Sequence, residues 1–307
     1  MTTTLISHDD CGLHNMGPEH PESPIRLMAI HKVLEKTGLI SQLERMQSVH
    51  VTSEQIALAH ACLHEKRLLM KQPHEGVIFT DDDTALCPHS LHAASLAAGS
   101  AILATNRVLA GKSTNAFCAV RPPGHHAEHN TPMGFCFYNN VAIGAMQALL
   151  HENIKRVAIL DFDVHHCNGT VDIFKDKPEV LVCSTFQHPF YPERYVDIQR
   201  DNIVNCPMPA HSNSLFFRNL VEKNWLPALQ KHKPDMIFIS AGFDAHHEDP
   251  MADINLDEED YRWVTKLILD VARTYAQGRV VSVLEGGYNP VALAFSVEAH
   301  IETLLGY

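Results

Sequence analysis

Five short runs of aliphatic and β-branched residues recur along the 307-residue chain: Ala116–Val120, Arg156–Phe162, Val180–Phe186, Met236–Ala241 and Arg279–Leu284. They lack the apolar–polar alternation of a half-exposed strand and predict strands buried on both faces. Between them the apolar spacing lengthens. Leu256–Tyr275 places apolar residues at 264, 267, 268, 271 and 275, one face of a helical repeat. Asp257 can cap that helix, and Glu258, Glu259 and Asp260 suit its positive end. Ser23-Pro24 predicts another helix start, with Ser as N-cap and Pro at the first helical position. Further helices are expected over 88–110, 139–151 and 215–230. The stretch from Thr84 to Asn106 holds no Asp, Glu, Lys or Arg, but its Ser, Thr, His and Pro make it too polar to span a membrane; it predicts a buried helix of small residues. Strands alternating with helices imply βαβ units and a parallel sheet. With no repeat, low-complexity tract or linker, one domain over 1–307 is expected.

Each predicted strand runs directly into a polar or Gly-rich segment. These are Arg121-Pro-Pro-Gly-His-His126, Asp163-Val-His-His166, Gln187-His-Pro-Phe-Tyr191, Gly242-Phe-Asp-Ala-His246 and Glu285-Gly-Gly-Tyr288. Ligands of parallel α/β sheets bind beyond the carboxyl ends of the strands, so five distant segments can converge on one crevice.

Composition narrows the chemistry. A formal net charge of −12 and the lack of a Lys/Arg run argue against direct nucleic-acid binding. The eight Cys include no CxxC pair, which fits reduced thiols and a cytoplasmic location. The first ten residues show no basic and then apolar pattern, so neither a signal peptide nor a membrane partner is expected. His is abundant, at 22 residues, and what matters is where it clusters.

Asp163 and His165, two apart near a strand end, can grip one cation from the same side. Oxygen and nitrogen donors together suit Zn2+, Fe2+ or Co2+. Asp161, one repeat back, is placed to orient a histidine. Asp244, closing the next long strand, is a third donor, and three donors leave a position open as in catalytic sites. The Pro-Pro-Gly run before His125 and His126 breaks strand geometry, so both rings can face one pocket, where His supplies a base near neutral pKa. Tyr288 sits on a Gly-Gly turn and can donate to an oxyanion. Singly, each motif has a plainer reading: a satisfied Asp–His pair, a helix cap, two surface histidines, a Tyr packed on a turn. Jointly, at adjacent strand ends, they argue for one site.

These residues carry a resemblance. The chain resembles the zinc-dependent histone deacetylase family, which includes bacterial deacetylases and acetylpolyamine amidohydrolases. The match starts at Cys11-x-x-His14 and His20-Pro-Glu-x-Pro-x-Arg26 and continues through Arg121–Ala127, Gly134-Phe-Cys-Phe-Tyr-Asn-Asn140 and Asp161–His166. It ends with Asn168-Gly-Thr170, Ser240–Ala245 and Glu285–Tyr288. The resemblance implies the arginase/deacetylase α/β fold, a single large, mostly parallel sheet flanked by helices on both faces. It implies Asp163, His165 and Asp244 as ligands of one catalytic Zn2+. His125 and His126 become the paired catalytic histidines, Asp161 the partner of His125, and Tyr288 the catalytic tyrosine. Gly134, Phe135 and Tyr191 would line the acyl channel, with Arg26 beneath the site. A structural K+ or Na+ would lie near the zinc, through Asp161, Asp163, His165, Ser184 and Thr185. A more distant one would involve Phe174, Lys177 and Val180.

Three departures refine this. Asn168 replaces an Asp that some members pair with the second histidine, as in the class II-like branch; a neutral partner raises the pKa of His126 less. Cys167 stands where Gly is common, either tightening the backbone or exposing a thiol. Met251 stands where polyamine-specific members can carry a Glu, which favours acyl-lysine in an apolar channel. The expected activity is zinc-dependent removal of acetyl or other acyl groups from lysine side chains by a metal-activated water. Acetylated lysine peptides or proteins, or acetylated polyamines, are the expected partners, and a homo-oligomer is compatible with the sequence. The alternatives are an acetylpolyamine or other small-molecule amidohydrolase, and an inactive acyl-lysine-binding homologue.

Overall fold

A computed structural model describes residues 2–306. Eight strands form one sheet: β1 (Thr3–Ser7), β2 (Glu44–Gln47), β5 (Asn115–Cys118), β6 (Val157–Asp161), β7 (Val180–Gln187), β8 (Ile203–Met208), β9 (Met236–Ala241) and β10 (Val280–Leu284). Their order is β2-β1-β5-β10-β9-β6-β7-β8, and every neighbouring pair is parallel. A small antiparallel hairpin, β3 (Ile78–Phe79) and β4 (Ala85–Leu86), stands apart. The helices are α1 (Ile25–Lys36), α2 (Ser53–Ile56), α3 (Cys62–Lys71), α4 (Ser90–Leu109), α5 (Asn140–Leu149), α6 (Asn168–Phe174), α7 (Ser214–His232), α8 (Glu258–Tyr275) and α9 (Pro290–Leu305).

All five strands predicted from apolar runs are present, and each is buried along its whole length. Helices cover both faces. On β9, Phe238 packs towards Gly144 of α5, which lies against α4. Its neighbour Ile239 is in register with Ser282 of β10, whose hydroxyl meets His300 of α9 at 2.9 Å. Successive strand residues point to opposite faces, so α4–α5 and α9, with α1 and α8 packed on it, sandwich the sheet. The charge-free stretch predicted as a small-residue helix is α4, almost entirely buried. Among the described residues no helix is long and apolar enough to cross a membrane.

Helix α8 starts as its sequence suggests: Asp257 accepts from the backbone of Glu259 and Asp260 in a capping box. The start of α1 differs. Pro24 is itself the N-cap, in helical conformation, and the Ser23 side chain makes no cap; Ser23 contributes its carbonyl, which accepts from Arg26 N at 3.2 Å. Strands β1, β2 and β8 and helix α9 extend the sequence-based outline. Strands β2 and β8 are the sheet edges, where polar residues and Pro207 are tolerated.

Candidate metal centre and active site

Parallel pairing sends the carboxyl ends of β5, β6, β7, β9 and β10 to the same side, and the polar segments that follow them meet there. Strand β6 ends at Asp161, so Asp163 and His165 lie just past the sheet, on a turn and not in the strand itself. The turn is pinned by carboxylates. Asp161 Oδ1 accepts from Asp163 N at 3.1 Å, Asp163 Oδ1 from His165 N at 2.9 Å, and Asp163 Oδ2 from Gly286 N at 2.8 Å. Asp244, beyond β9, reaches across to accept from Val164 N at 2.8 Å. The ends of β6, β9 and β10 are thus tied together by charged hydrogen bonds, stronger than neutral ones.

Asp163, His165 and Asp244 each offer one donor atom, and the three atoms lie within 4.8 Å of one another, all buried. His165 Nδ1 stands 3.1 Å from Asp163 Oδ1 and 3.2 Å from Asp244 Oδ2. Asp244 Oδ2 is buried without a hydrogen-bond partner. Burial and the neighbouring Asp163 push the Asp244 carboxyl up to about 7. For His165, burial favours the neutral ring, but the hydrogen bond to Asp163 and the adjacent carboxylate of Asp244 outweigh this and lift it to about 10. Two buried carboxylates around one imidazole nitrogen call for positive charge between them. The donor set fits a divalent cation such as Zn2+, Fe2+ or Co2+. Gly286 leaves the room for one: a Cβ there would run into Asp244 Oδ2 and lie 2.5 Å from Asp163 Oδ2.

The two histidines after Pro-Pro-Gly lie side by side, ring centroids 4.0 Å apart, in opposite environments. His125 Nδ1 is 3.0 Å from Asp161 Oδ2, and its Nε2 is 3.8 Å from Asp163 Oδ1. Burial opposes its charge, but Asp163 and Asp161 hold its pKa well above the usual imidazole value. His126 Nδ1 is 2.7 Å from Asn168 Oδ1. Burial, then the positive charges of His125 and His165, push His126 well below the usual value. Asn168 donates through Nδ2 to Glu128 Oε1 at 2.9 Å, so its oxygen must face His126. Nδ1 of His126 therefore carries the proton and Nε2 keeps a lone pair. One ring is charged and its neighbour neutral.

A cavity of about 190 Å3 opens onto His126 and His165. Gly134, Phe135, Tyr191 and Met251, the residues the sequence suggested for the channel, line it together with Tyr288, Asp83 and Phe190. Phe190 stacks on the His165 ring at 5.5 Å between centroids, and Tyr191 stands edge-on to His126 at 5.3 Å. Gly134 adopts a left-handed φ of 56°, and a Cβ there would strike the His126 ring, so this wall admits only glycine. His125 does not reach the cavity; it lies behind His126.

The Tyr288 loop is held from two sides. Arg26, buried as expected beneath the site, donates from Nε to Gly287 O at 2.6 Å and from its other end to Glu285 O. Its guanidinium carbon is 5.0 Å from the Tyr288 ring centroid. Asp249 accepts from Tyr288 N at 2.6 Å and from Asn289 N at 3.1 Å. Arg26 is balanced by Glu22, which Arg121 grips through two hydrogen bonds.

Several residues were not assigned a role from sequence. Glu285 is buried, accepts from Gly124 N at 2.7 Å and His125 N at 3.1 Å, and so anchors the histidine loop; burial raises its carboxyl to about 7. Glu22 and Glu285 sit inside recognised motifs, where a buried acid was a readable signal. Asp83, Glu128 and Asp249 carried none. Cys167 is fully buried and burial keeps it protonated, which leaves the backbone-tightening reading and removes the exposed-thiol one. Ser184 and Thr185 bring two buried hydroxyls without hydrogen-bond partners to the end of β7. The carbonyls of Phe174, Lys177 and Val180 do converge, but around the side-chain nitrogen of Asn202.

Comparison with known proteins places this arrangement. The family model described as the histone deacetylase domain matches residues 20–304. The chain is 34% identical to a histone deacetylase-like amidohydrolase of Pseudomonas aeruginosa, over 94% of this chain and 77% of that one. It is 33% identical to a probable deacetylase of Archaeoglobus fulgidus, over 94% and 82% of the two chains. The crystal structure of the HDA15 HD domain superposes with a TM-score of 0.94 at 31% identity, covering 99% of this chain and 88% of that one. Family, relatives and fold agree, and the chain belongs to the histone deacetylase domain family as a hydrolase of the deacetylase type.

Proposed function

We propose that this chain removes acetyl or other short acyl groups from lysine side chains, and that residues 1–307 act as one deacetylase domain in the cytoplasm. The single observation that carries the reading is the meeting of a narrow cavity, walled by Phe135, Tyr191 and Met251, with the Asp163–His165–Asp244 cluster at its inner end. An aliphatic lysine stem fits such walls, and the acyl carbonyl then reaches the charged floor. Asp163, His165 and Asp244 would hold one divalent ion, with zinc the best match to the donor set. When bound, that ion supplies Lewis acidity towards the carbonyl and the attacking water.

The protein's own groups divide the remaining work. His126, neutral with a free Nε2, accepts a proton as the water oxygen bonds to the acyl carbon. It then delivers that proton to the amine nitrogen as the C–N bond breaks, releasing a carboxylic acid and the free amine. His125, kept charged by Asp163 and Asp161, stabilises from behind His126 the negative charge that develops in the cavity. Tyr288 donates its hydroxyl to the developing oxyanion. Asp161 and Asn168 hold the two rings in place, and Glu285 anchors the loop that carries them. The eight cysteines, all unpaired, are consistent with a reducing cytoplasm. The Ser184 hydroxyl and the Thr185 carbonyl would serve, with Asp161, Asp163 and His165, a monovalent cation such as K+ or Na+.

Acetylated polyamines form a second reading, favoured by Asp83, whose carboxylate borders the cavity and suits a cationic amine. An acetyl-lysine peptide reporter, with acetylputrescine in parallel, tests the proposal. His126→Ala and Tyr288→Phe are each expected to lose at least ~100-fold in kcat. Near-wild-type turnover in both overturns the mechanism, and preference for acetylputrescine selects the second reading.

A further inference from the structure

Family resemblance assigns monovalent cations to two oxygen clusters flanking β7, and the two clusters differ in kind. Near the metal centre, Ser184 Oγ, in register with Asp161, is buried with no hydrogen-bond partner, which leaves lone pairs free for a cation, while Thr185 turns its side chain to the other face and would offer its carbonyl. In the distant cluster the lone pairs are already engaged. Asn202 Nδ2 stands 2.8 Å from Phe174 O, 3.0 Å from Lys177 O and 3.0 Å from Val180 O. The nitrogen thus takes the point at which an ion would touch all three oxygens.

The amide is seated by the fold. Asn202 is 8% exposed and immediately precedes β8. Its carbonyl accepts from Val182 N of β7 at 2.8 Å, which fixes the main chain beside the cradle. Phe174 ends α6 and Lys177 follows one turn later, at the negative end of the helix; each oxygen also accepts one backbone N–H, from Lys177 at 2.9 Å and from Val180 at 3.0 Å, and Asn202 adds a second donor. The orientation of the amide follows from chemistry. An amide oxygen at this point would face three carbonyl oxygens, whereas an NH2 offers two protons to them. A neutral side chain thus meets a need that a cation could also meet.

We infer that the Asn202 amide occupies the distal carbonyl cradle in place of a cation, so that this chain takes one monovalent ion, beside the metal centre, and not two. The inference concerns the fold alone and stands whether or not the proposed catalytic roles hold.

Thallium(I), which mimics K+ and scatters anomalously, gives the direct test. Crystals of the intact protein grown with Tl+ should show a peak at the Ser184 and Thr185 cluster and none within contact of the Phe174, Lys177 and Val180 carbonyls. Asn202→Ala should open the cradle and add a second peak there. A wild-type peak among those carbonyls, with the amide swung away, overturns the inference. Thermal melting gives an independent measure. Asn202→Asp sets a carboxylate against three carbonyls, so on replacing KCl by tetramethylammonium chloride its Tm should drop about 3 °C or more beyond the wild-type change. Equal K+ dependence in wild type and variant also overturns it.

Discussion

His126 and Asn168 face each other across 2.7 Å, imidazole Nδ1 to amide oxygen, and the direction of that hydrogen bond is set by a third residue. Glu128 accepts from the other end of the same amide at 2.9 Å and is itself paired with Arg194 at 3.2 Å. If Glu128 is replaced by Ala, the amide is free to turn and present its NH2 to His126, which would strip the base of its free Nε2. We expect Glu128→Ala to lower kcat on the order of tenfold with little change in KM. Glu128→Gln retains an acceptor and should recover most of that loss. Imidazole 15N shifts of His126 provide a second measure: Nδ1–H in the wild type and Glu128→Gln, a mixture in Glu128→Ala. Equal kcat in all three proteins would show that Glu128 does not set the amide.

The room left by Gly286 gives a steric test of the metal centre. A single methyl there would press on the carboxylates of both Asp163 and Asp244. Gly286→Ala is expected to reduce bound zinc, measured by elemental analysis after dialysis against trace metal, by at least ~10-fold. Far-ultraviolet circular dichroism should remain near wild type. Full zinc occupancy in the variant would place the ion elsewhere.

Removing the ion should expose the repulsion that it offsets. Asp244 lies buried beside Asp163, with one oxygen unpartnered and its carboxyl raised to about 7 by burial and by Asp163. In chelator, Asp244→Asn should therefore melt at or above the wild type, because a buried charge is gone. Added zinc should stabilise only the wild type, by about 2.7 kcal/mol at a hundredfold excess over Kd. A zinc-dependent rise in Tm that survives the substitution would remove Asp244 from the ligand set.

Acid stability depends on histidines far from the reaction. His60 donates from Nδ1 to Glu128 O at 3.0 Å and accepts at Nε2 from Asn139 N at 2.9 Å, a pattern that only a neutral ring can make. His300 is fully buried between the hydroxyls of Thr265 and Ser282. Burial pushes both pKa values down to about 3 from an ordinary 6.5. Between those values only the unfolded chain binds the proton. Their stabilisation is thus complete above about pH 6.5 and is lost as pH falls towards about 3, with a slope near ~1.4 kcal/mol per pH unit for each ring. Urea unfolding of wild type and His300→Gln between about pH 6 and 4.5 should show a slope shallower in the variant by about that amount. Parallel slopes would mean that His300 is not held neutral.

Substrate choice should respond to one wall residue. Met251 and Asp83 both line the cavity, and a second carboxylate there would strengthen the attraction for the one free ammonium of acetylputrescine. Met251→Glu is expected to raise the kcat/KM ratio of acetylputrescine to acetyl-lysine peptide about tenfold, or ~1.4 kcal/mol. An unchanged ratio would show that this wall does not read charge.

The sequence revealed the middle of the sheet and missed its margins for one physical reason. Strands β5, β6, β7, β9 and β10 are buried on both faces, so their apolar runs are unmistakable. Strand β2 reads Glu-Arg-Met-Gln because it is an exposed edge, and β8 tolerates Pro207 for the same reason. In the site, residues whose chemistry is written in their type and spacing were legible: Asp163, His165, Asp244 and His126 come together, whereas the expectation that both histidine rings face one pocket fails, because His125 lies behind His126. What spacing cannot convey is support from elsewhere in the chain. Asp249 holds Tyr288 from 39 residues away and Glu285 holds Gly124 from 161 residues away, each carboxylate accepting from a backbone N–H. The distal cradle is the instructive case, since its three carbonyls converge as expected while the side chain of Asn202, visible only in three dimensions, fills it.

The position of β10 bears on how the molecule is born. Among the described residues, β2-β1-β5 on one side and β9-β6-β7-β8 on the other are joined in the sheet only through Val280–Leu284, the last strand to leave a ribosome. Until then β5 and β9 present open edges, which invite pairing with foreign chains. Insertion of β10 closes that gap and, in the same event, carries Gly286 and Tyr288 over Asp163 and Asp244. A nascent chain stopped short of residue 280 is accordingly an aggregation hazard and not a weak enzyme, and competence for catalysis arrives with the final seam of the sheet.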